Sequence, residues 1–203
     1  MMHKLHLLLK REYAVFLVRV LKTFIVYKPR LKGLGKWSQI VSPITITPKH
    51  IAIGDRVSIG HHARIEAIEH WQGKNYEPLI TMEDGVSFQQ RCHITAADSI
   101  YIGKNTIASF DVMITDIDHE YEDITLPIGQ QGLVVRKTSI GESCFIGAGT
   151  KIQAGTILGK HCIVGANSVV RGHFPDYCVL VGAPARVIKQ YNFETKQWEK
   201  VDA

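Results

Sequence analysis

Residues 138–170 read TSIGESCFIGAGTKIQAGTILGKHCIVGANSVV and keep a six-residue beat. Its aliphatic positions are Ile140, Ile146, Ile152, Leu158, Val164 and Val170. Two places before each stands a small or β-branched residue: Thr138, Cys144, Thr150, Thr156, Cys162 and Ser168. Glycine follows the beat at Gly141, Gly147, Gly159 and Gly165. A period of six fits neither a 3.6-residue helix nor a two-residue strand alternation. It fits a chain coiling so that every sixth side chain points inward and stacks on the coil below.

Upstream the same lattice runs through Ile53, Ile59 and Ile65, then Met82, Phe88 and Ile94, then Ile102, Ala108 and Ile114. Of these fifteen positions only Ala108 is not Ile, Leu, Val, Met or Phe. A narrow triangular interior accounts for the pattern. Aliphatic side chains stack at the inward corners, small residues sit two before them, and glycine lets successive turns approach closely. Three steps make one turn, which predicts a parallel β-helix of about five coils. Two stretches interrupt the lattice, 66–79 and 115–139. The implied organisation is a segment 1–37, a β-helix domain 38–189 with those two insertions, and a tail 190–203.

Residues 3–27 contain neither Gly nor Pro and predict a helix with an apolar stripe of Leu9, Tyr13, Phe16, Leu17, Val20, Leu21 and Phe24. Arg11, Arg19 and Lys22 lie on its other side. One reading packs this helix across the open end of the domain, covering strand edges. The other lays it on an anionic membrane surface. Residues 28–38 read as a linker. The net charge of +5 is concentrated here, since residues 1–37 hold nine Lys or Arg against Glu12, leaving the remainder acidic. The basic balance therefore does not point to nucleic acid. The chain has no uncharged run of membrane-spanning length and no secretory signal pattern. Cys92, Cys144, Cys162 and Cys178 show no metal-ligand spacing, and three of them fall on the small inward position. A reducing, cytoplasmic setting, peripheral at the inner membrane face, is expected.

The tract 140–189, closing on VGAPARVIK at 181–189, resembles the hexapeptide-repeat acyltransferases, most of all the galactoside, maltose and polysaccharide O-acetyltransferases. The resemblance covers about residues 50–190. It implies a left-handed β-helix, against the usual right-handed crossover, and a homotrimer with active sites between neighbouring prisms. It also implies acetyl-CoA as co-substrate, a saccharide or glycan acceptor and no metal.

Within that resemblance His119, in TDIDHEYED five residues past Ile114, takes the place of the catalytic histidine. Sugar hydroxyls are poor nucleophiles, and a neutral imidazole can take the proton as the oxygen attacks a thioester. Asp116, Asp118 and Glu120 are candidates to orient the ring. Gln89 stands where related enzymes carry an acceptor-binding asparagine, and Trp71 is an aromatic surface for a sugar face. Ala148 and Ala166 match backbone positions along the pantetheine arm. Arg171 and Lys189 match cationic positions toward the nucleotide end of coenzyme A. Alternatives are N-acylation of an amino-sugar or amino acid, a γ-carbonic-anhydrase-like zinc site using His61, His93 and His119, and a non-catalytic scaffold.

Overall fold

The computed structural model describes residues 2–201, the first nine of them as backbone only. After one helix, α1 (Met2–Tyr27), the chain winds into short parallel strands on three faces. The first face holds Gly33–Leu34, Ile51–Ile53, Leu79–Met82, Ser99–Ile102, Thr138–Ile140, Ile157–Leu158 and His173–Phe174. The second holds Gln39–Ile40, Ser58–Ile59, Ser87–Phe88, Ile107–Ala108, Phe145–Ile146, Ile163–Val164 and Cys178–Gly182. The third holds Thr45–Ile46, Arg64–Ala67, His93–Ala96, Met113–Thr115, Lys151–Ile152 and Val169–Val170.

All fifteen beat positions are buried, and so is every residue two before them. Register explains why. Ile102 pairs with Ile140, which pairs with Leu158; Ala108 pairs with Ile146, which pairs with Val164. Each stacked aliphatic contributes ~1.5–3 kcal/mol of burial. The small polar residues are satisfied by neighbouring carbonyls: Thr106 Oγ1 donates to Gly141 O at 2.8 Å and Thr156 Oγ1 to Val170 O at 3.0 Å. The glycines serve close approach. A Cβ on Gly141 would lie 2.6 Å from the backbone of Gly159, and one on Gly147 2.6 Å from Ala166 N. All four cysteines are free and buried, and burial pushes the Cys92 thiol up to about 12.

Two expectations need correction. The coils number between six and seven rather than five, because Gly33–Leu34, in the supposed linker 28–38, opens a coil with Gln39–Ile40 and Thr45–Ile46, and His173–Phe174 and Cys178–Gly182 begin another after Val170. Leu34, Ile40 and Ile46 are themselves six apart, a signal masked by the surrounding Gly and Pro. The tail adds strand to the second face as far as Lys200. Ala185–Asn192 turns antiparallel onto Cys178–Gly182, and Gln197–Lys200 pairs with it in turn. An aromatic cluster holds this hairpin, with Tyr177 and Phe193 centroids 5.0 Å apart and Tyr191 and Trp198 5.5 Å apart. Finally, the helix stripe is split between the domain and solvent. Tyr13, Leu21 and Phe24 are exposed, while α1 meets the end of the prism through buried Thr23 and partly buried Phe16, Val20 and Tyr27. Thr23 Oγ1 accepts the Ile40 N–H at 2.8 Å, covering the first strand of the second face. Leu9 lies outside the described side chains.

Candidate active site

Both insertions leave the prism at one corner, where the third face passes into the first. Residues after Arg64–Ala67 form a hairpin, His70–Trp71 against Lys74–Asn75, before returning at Leu79. Two coils on, residues after Met113–Thr115 form an antiparallel pair, Ile117–His119 against Leu133–Val135, with His119 opposite Leu133. So the expected loops 66–79 and 115–139 are partly strand. The coil between them turns the corner through Ala97 and Asp98.

Asp116 joins these levels. Its carboxylate is fully buried and accepts the N–H of Ala97 and of Asp98, both at 2.8 Å. Burial raises its pKa, opposed by hydrogen bonds from the Ala97, Asp98 and Ser99 backbone. Gln131 organises the far end of the longer insertion. Its side-chain amide donates to the carbonyls of Asp123 at 2.9 Å and Leu126 at 3.1 Å, and its oxygen accepts the Asp123 N–H. The shorter insertion docks on that arrangement: Trp71 Nε1 donates to Gln131 O at 2.9 Å and Gln72 Nε2 to Gly129 O at 2.7 Å.

The result places Trp71 beside His119, ring centroids 5.4 Å apart and nearly perpendicular. His119 lines two cavities. On one side is a space of about 330 Å³ walled by Ile68, Trp71, Ile117, His119 and Leu133 and floored by the outward side chains His93, Thr95, Met113 and Thr115 of the third face. On the other is a polar cavity of about 340 Å³ bounded by Asp118, Tyr121, Glu122, Val134, Arg136 and Arg171. Asp118 anchors this second side. It accepts Arg171 Nη2 at 2.7 and 2.9 Å and Arg136 Nη1 at 3.1 Å, while Arg171 Nε reaches Gln153 Oε1 at 2.9 Å.

Of the three carboxylates expected to orient the imidazole, none bonds it among the described residues. Asp116 caps a turn, Asp118 holds two arginines, and Glu120 accepts the Gly132 N–H at 3.2 Å. Trp71 and Arg171 do converge on His119. Gln89 does not: it sits at the opposite edge of the third face, accepting Ser109 Oγ at 3.3 Å. Ala148 and Ala166 occupy that same edge on consecutive coils, where Asn167 N donates to Ala148 O at 2.8 Å. Lys189 stands farther round, paired with Val179 and Lys200 at the C-terminal end of the second face. His61 also lies at the Gln89 edge, its carbonyl accepting Arg91 N at 2.8 Å, apart from the cavity that His93 and His119 share. No group of three or more His, Cys, Asp or Glu among the described residues is placed to hold a metal ion. His93 escaped the sequence reading of the acceptor site. Its signal was its place one residue before the third-face beat position Ile94.

The six-residue beat on a three-faced parallel coil is that of the hexapeptide-repeat transferases, and the chain belongs to that family, whose coil is a left-handed β-helix. The family model for bacterial transferase hexapeptides (six repeats) matches residues 137–172. The chain is 37% identical over 129 residues, 60% of its length, to the Escherichia coli (strain K12) protein WbbJ, by name a lipopolysaccharide biosynthesis O-acetyl transferase. It is 32% identical over 160 residues, 74% of its length, to a Mycobacterium tuberculosis protein, Rv3034c, by name an acetyltransferase. It spans 66% of the first relative and 53% of the second. Among solved structures, a mutant of AntD, an N-acyltransferase from Bacillus cereus in complex with dTDP and coenzyme A, superposes with a TM-score of 0.69. That match covers 84% of this chain and 89% of the other at 19% identity, a likeness of fold.

Proposed function

We propose that this chain is an acetyl-CoA-dependent O-acetyltransferase acting on a saccharide or glycan intermediate, with His119 as general base. The observation that carries the reading is the position of His119 in the wall between two cavities of unlike chemistry. The carbon-rich cavity under Trp71 suits a pyranose, whose C–H face packs on an indole while its hydroxyls reach the rim. The relatives' names, an O-acetyl transferase of lipopolysaccharide biosynthesis among them, support the same chemistry.

In the proposed reaction the imidazole removes the proton of an acceptor hydroxyl as its oxygen attacks the thioester carbonyl. The new C–O bond forms, the C–S bond breaks, and the departing thiolate takes the proton back from the imidazolium. No covalent enzyme intermediate is needed. Arg171 and Arg136 share the Asp118 carboxylate, and Glu122 on the same cavity offsets the remaining charge, so the two guanidiniums offer directed hydrogen bonds rather than net positive charge to the anionic parts of the donor. The test is thiol release from acetyl-CoA against a panel of sugars and lipid-linked oligosaccharides. Absence of turnover on every acceptor, by protein that binds coenzyme A, overturns the reading.

The assembly belongs to the same proposal. Gln89, Ala148 and Ala166 stand on one edge of the third face and His119 on the other. A homotrimer with a site between neighbouring prisms brings the two edges into one groove. The outward side of α1, with Val18, Leu21 and Ile25 exposed beside Arg11 and Lys22, suits peripheral contact with an anionic inner membrane surface. Four buried free thiols fit the reducing side of such a membrane. No helix among the described residues is long and apolar enough to cross it.

A further inference from the structure

We infer that His93 is a second acceptor-binding side chain, holding one hydroxyl of the saccharide unit whose neighbouring hydroxyl is presented to His119. The inference rests on the O-acetyltransferase reading and adds to it a residue that sets acceptor specificity. His93 lies on the outward side of the third face, between Arg64 on the coil below and Met113 on the coil above, and it lines the same cavity as His119 and Trp71.

His93 is the polar floor group left over in a cavity that is otherwise carbon. Thr115 is already committed: its Oγ1 donates to Thr95 O at 3.1 Å and accepts the Ile117 N–H at 3.1 Å. Thr95 Oγ1 lies 2.9 Å from His93 Nε2. That contact lays the imidazole along the cavity floor and leaves Nδ1 with no bonding partner among the described residues. A polyhydroxylated ligand entering here therefore meets two imidazoles, those of His93 and His119. A site that hydrogen-bonds a hydroxyl binds analogues lacking it less well, because that bond is then missing.

The surroundings keep the ring neutral. Partial burial lowers the His93 pKa first, and the Arg64 and Lys151 cations on the same column lower it further, with Glu66 opposing. A neutral imidazole offers a donor or an acceptor to a hydroxyl without attracting a counter-ion into the cavity.

The test is steady-state kinetics of the full chain with acetyl-CoA and the best acceptor from a panel of para-nitrophenyl hexopyranosides. His93→Ala is expected to raise the acceptor KM about 3–10-fold, the value of one neutral hydrogen bond. The KM for acetyl-CoA and the thermal unfolding midpoint are expected to stay unchanged, since the ring faces outward. His93→Asn, which keeps a donor and an acceptor, is expected to recover part of the loss. An unchanged acceptor KM in His93→Ala overturns the inference while wild-type turnover keeps the O-acetyltransferase reading intact. Parallel loss for both substrates also overturns it, as the mark of a purely structural role. A wild-type chain that turns over no saccharide overturns both.

Discussion

Arg171 and Asp118 are 53 positions apart in the chain, yet the guanidinium grips both carboxylate oxygens at 2.7 and 2.9 Å. This pair ties the strand carrying His119 to the C-terminal coils, and Arg136 adds a third contact from the returning strand. All three groups are partly exposed, so the gain in global stability is expected to be small, within ~1 kcal/mol. The effect on the insertion is local. Asp118→Asn is expected to leave the unfolding midpoint nearly unchanged while raising amide exchange across 117–135 and lowering kcat/KM. Unaltered exchange in that segment would refute the anchoring role.

His119→Ala is expected to lower kcat about 10²–10⁴-fold, the usual contribution of a positioned base. Coenzyme A binding, read by calorimetry, is expected to survive, because the imidazole acts on the acceptor proton. Wild-type turnover in this variant would remove the mechanism.

Trp71 has two separable duties. Trp71→Phe keeps an aromatic wall but loses the hydrogen bond to Gln131 O, a loss of ~0.5–1.5 kcal/mol in docking one insertion on the other. Trp71→Ala removes the wall as well. The acceptor KM is expected to rise modestly in the first variant and further in the second. Equal values in both would mean that the ring face touches no substrate.

The buried Asp116 predicts a pH signature in stability. Its folded-state pKa is raised above the unfolded value, chiefly by burial. The carboxylate therefore costs stability when ionised, and that cost is relieved as pH falls through the folded pKa toward the unfolded one. Asp116→Asn removes this term. The stability difference between wild type and variant, from urea midpoints between pH 7 and pH 4, is expected to shift in favour of the wild type as pH falls. A constant difference across that range would contradict the raised pKa.

The outward face of α1 gives a prediction independent of catalysis. Leu21→Glu with Ile25→Glu is expected to abolish flotation with phosphatidylserine-containing liposomes and leave acetyl transfer to a soluble sugar unchanged. Flotation equal to wild type would remove the membrane contact.

Much of the architecture was legible because its physics is periodic. A stacked interior admits one aliphatic per corner, so the beat from Ile53 to Val170 foretold which side chains are buried. The first coil was obscured because Pro29, Gly33 and Gly35 suggest a break where Leu34, Ile40 and Ile46 keep the count. The helix stripe was informative only in part: a helix with two apolar sides does not announce that Phe16 and Val20 turn inward while Tyr13, Leu21 and Phe24 stay outside. Thr23, the helix residue buried most deeply against the prism, is polar. The meeting of Trp71 with His119 had a signal in Ile65 and Ile114, both third-face positions, so both insertions had to emerge at the same corner. Which carboxylate would pair with which arginine had none, because Arg171 reaches Asp118 through folding of the insertion and not through the lattice.

The 26-position step from Ile114 to Ile140 leaves Ile140 in register with Ile102 on the coil below. Length added at this corner is therefore invisible to the stack, since each coil meets only its neighbours. Substrate choice and the aliphatic stack are thereby uncoupled: either insertion can be rewritten between its strand-paired ends without renegotiating the core. A chimera with a foreign 68–78 segment should keep the stack, lose the Trp71 and Gln72 contacts to the longer insertion, and change what it accepts.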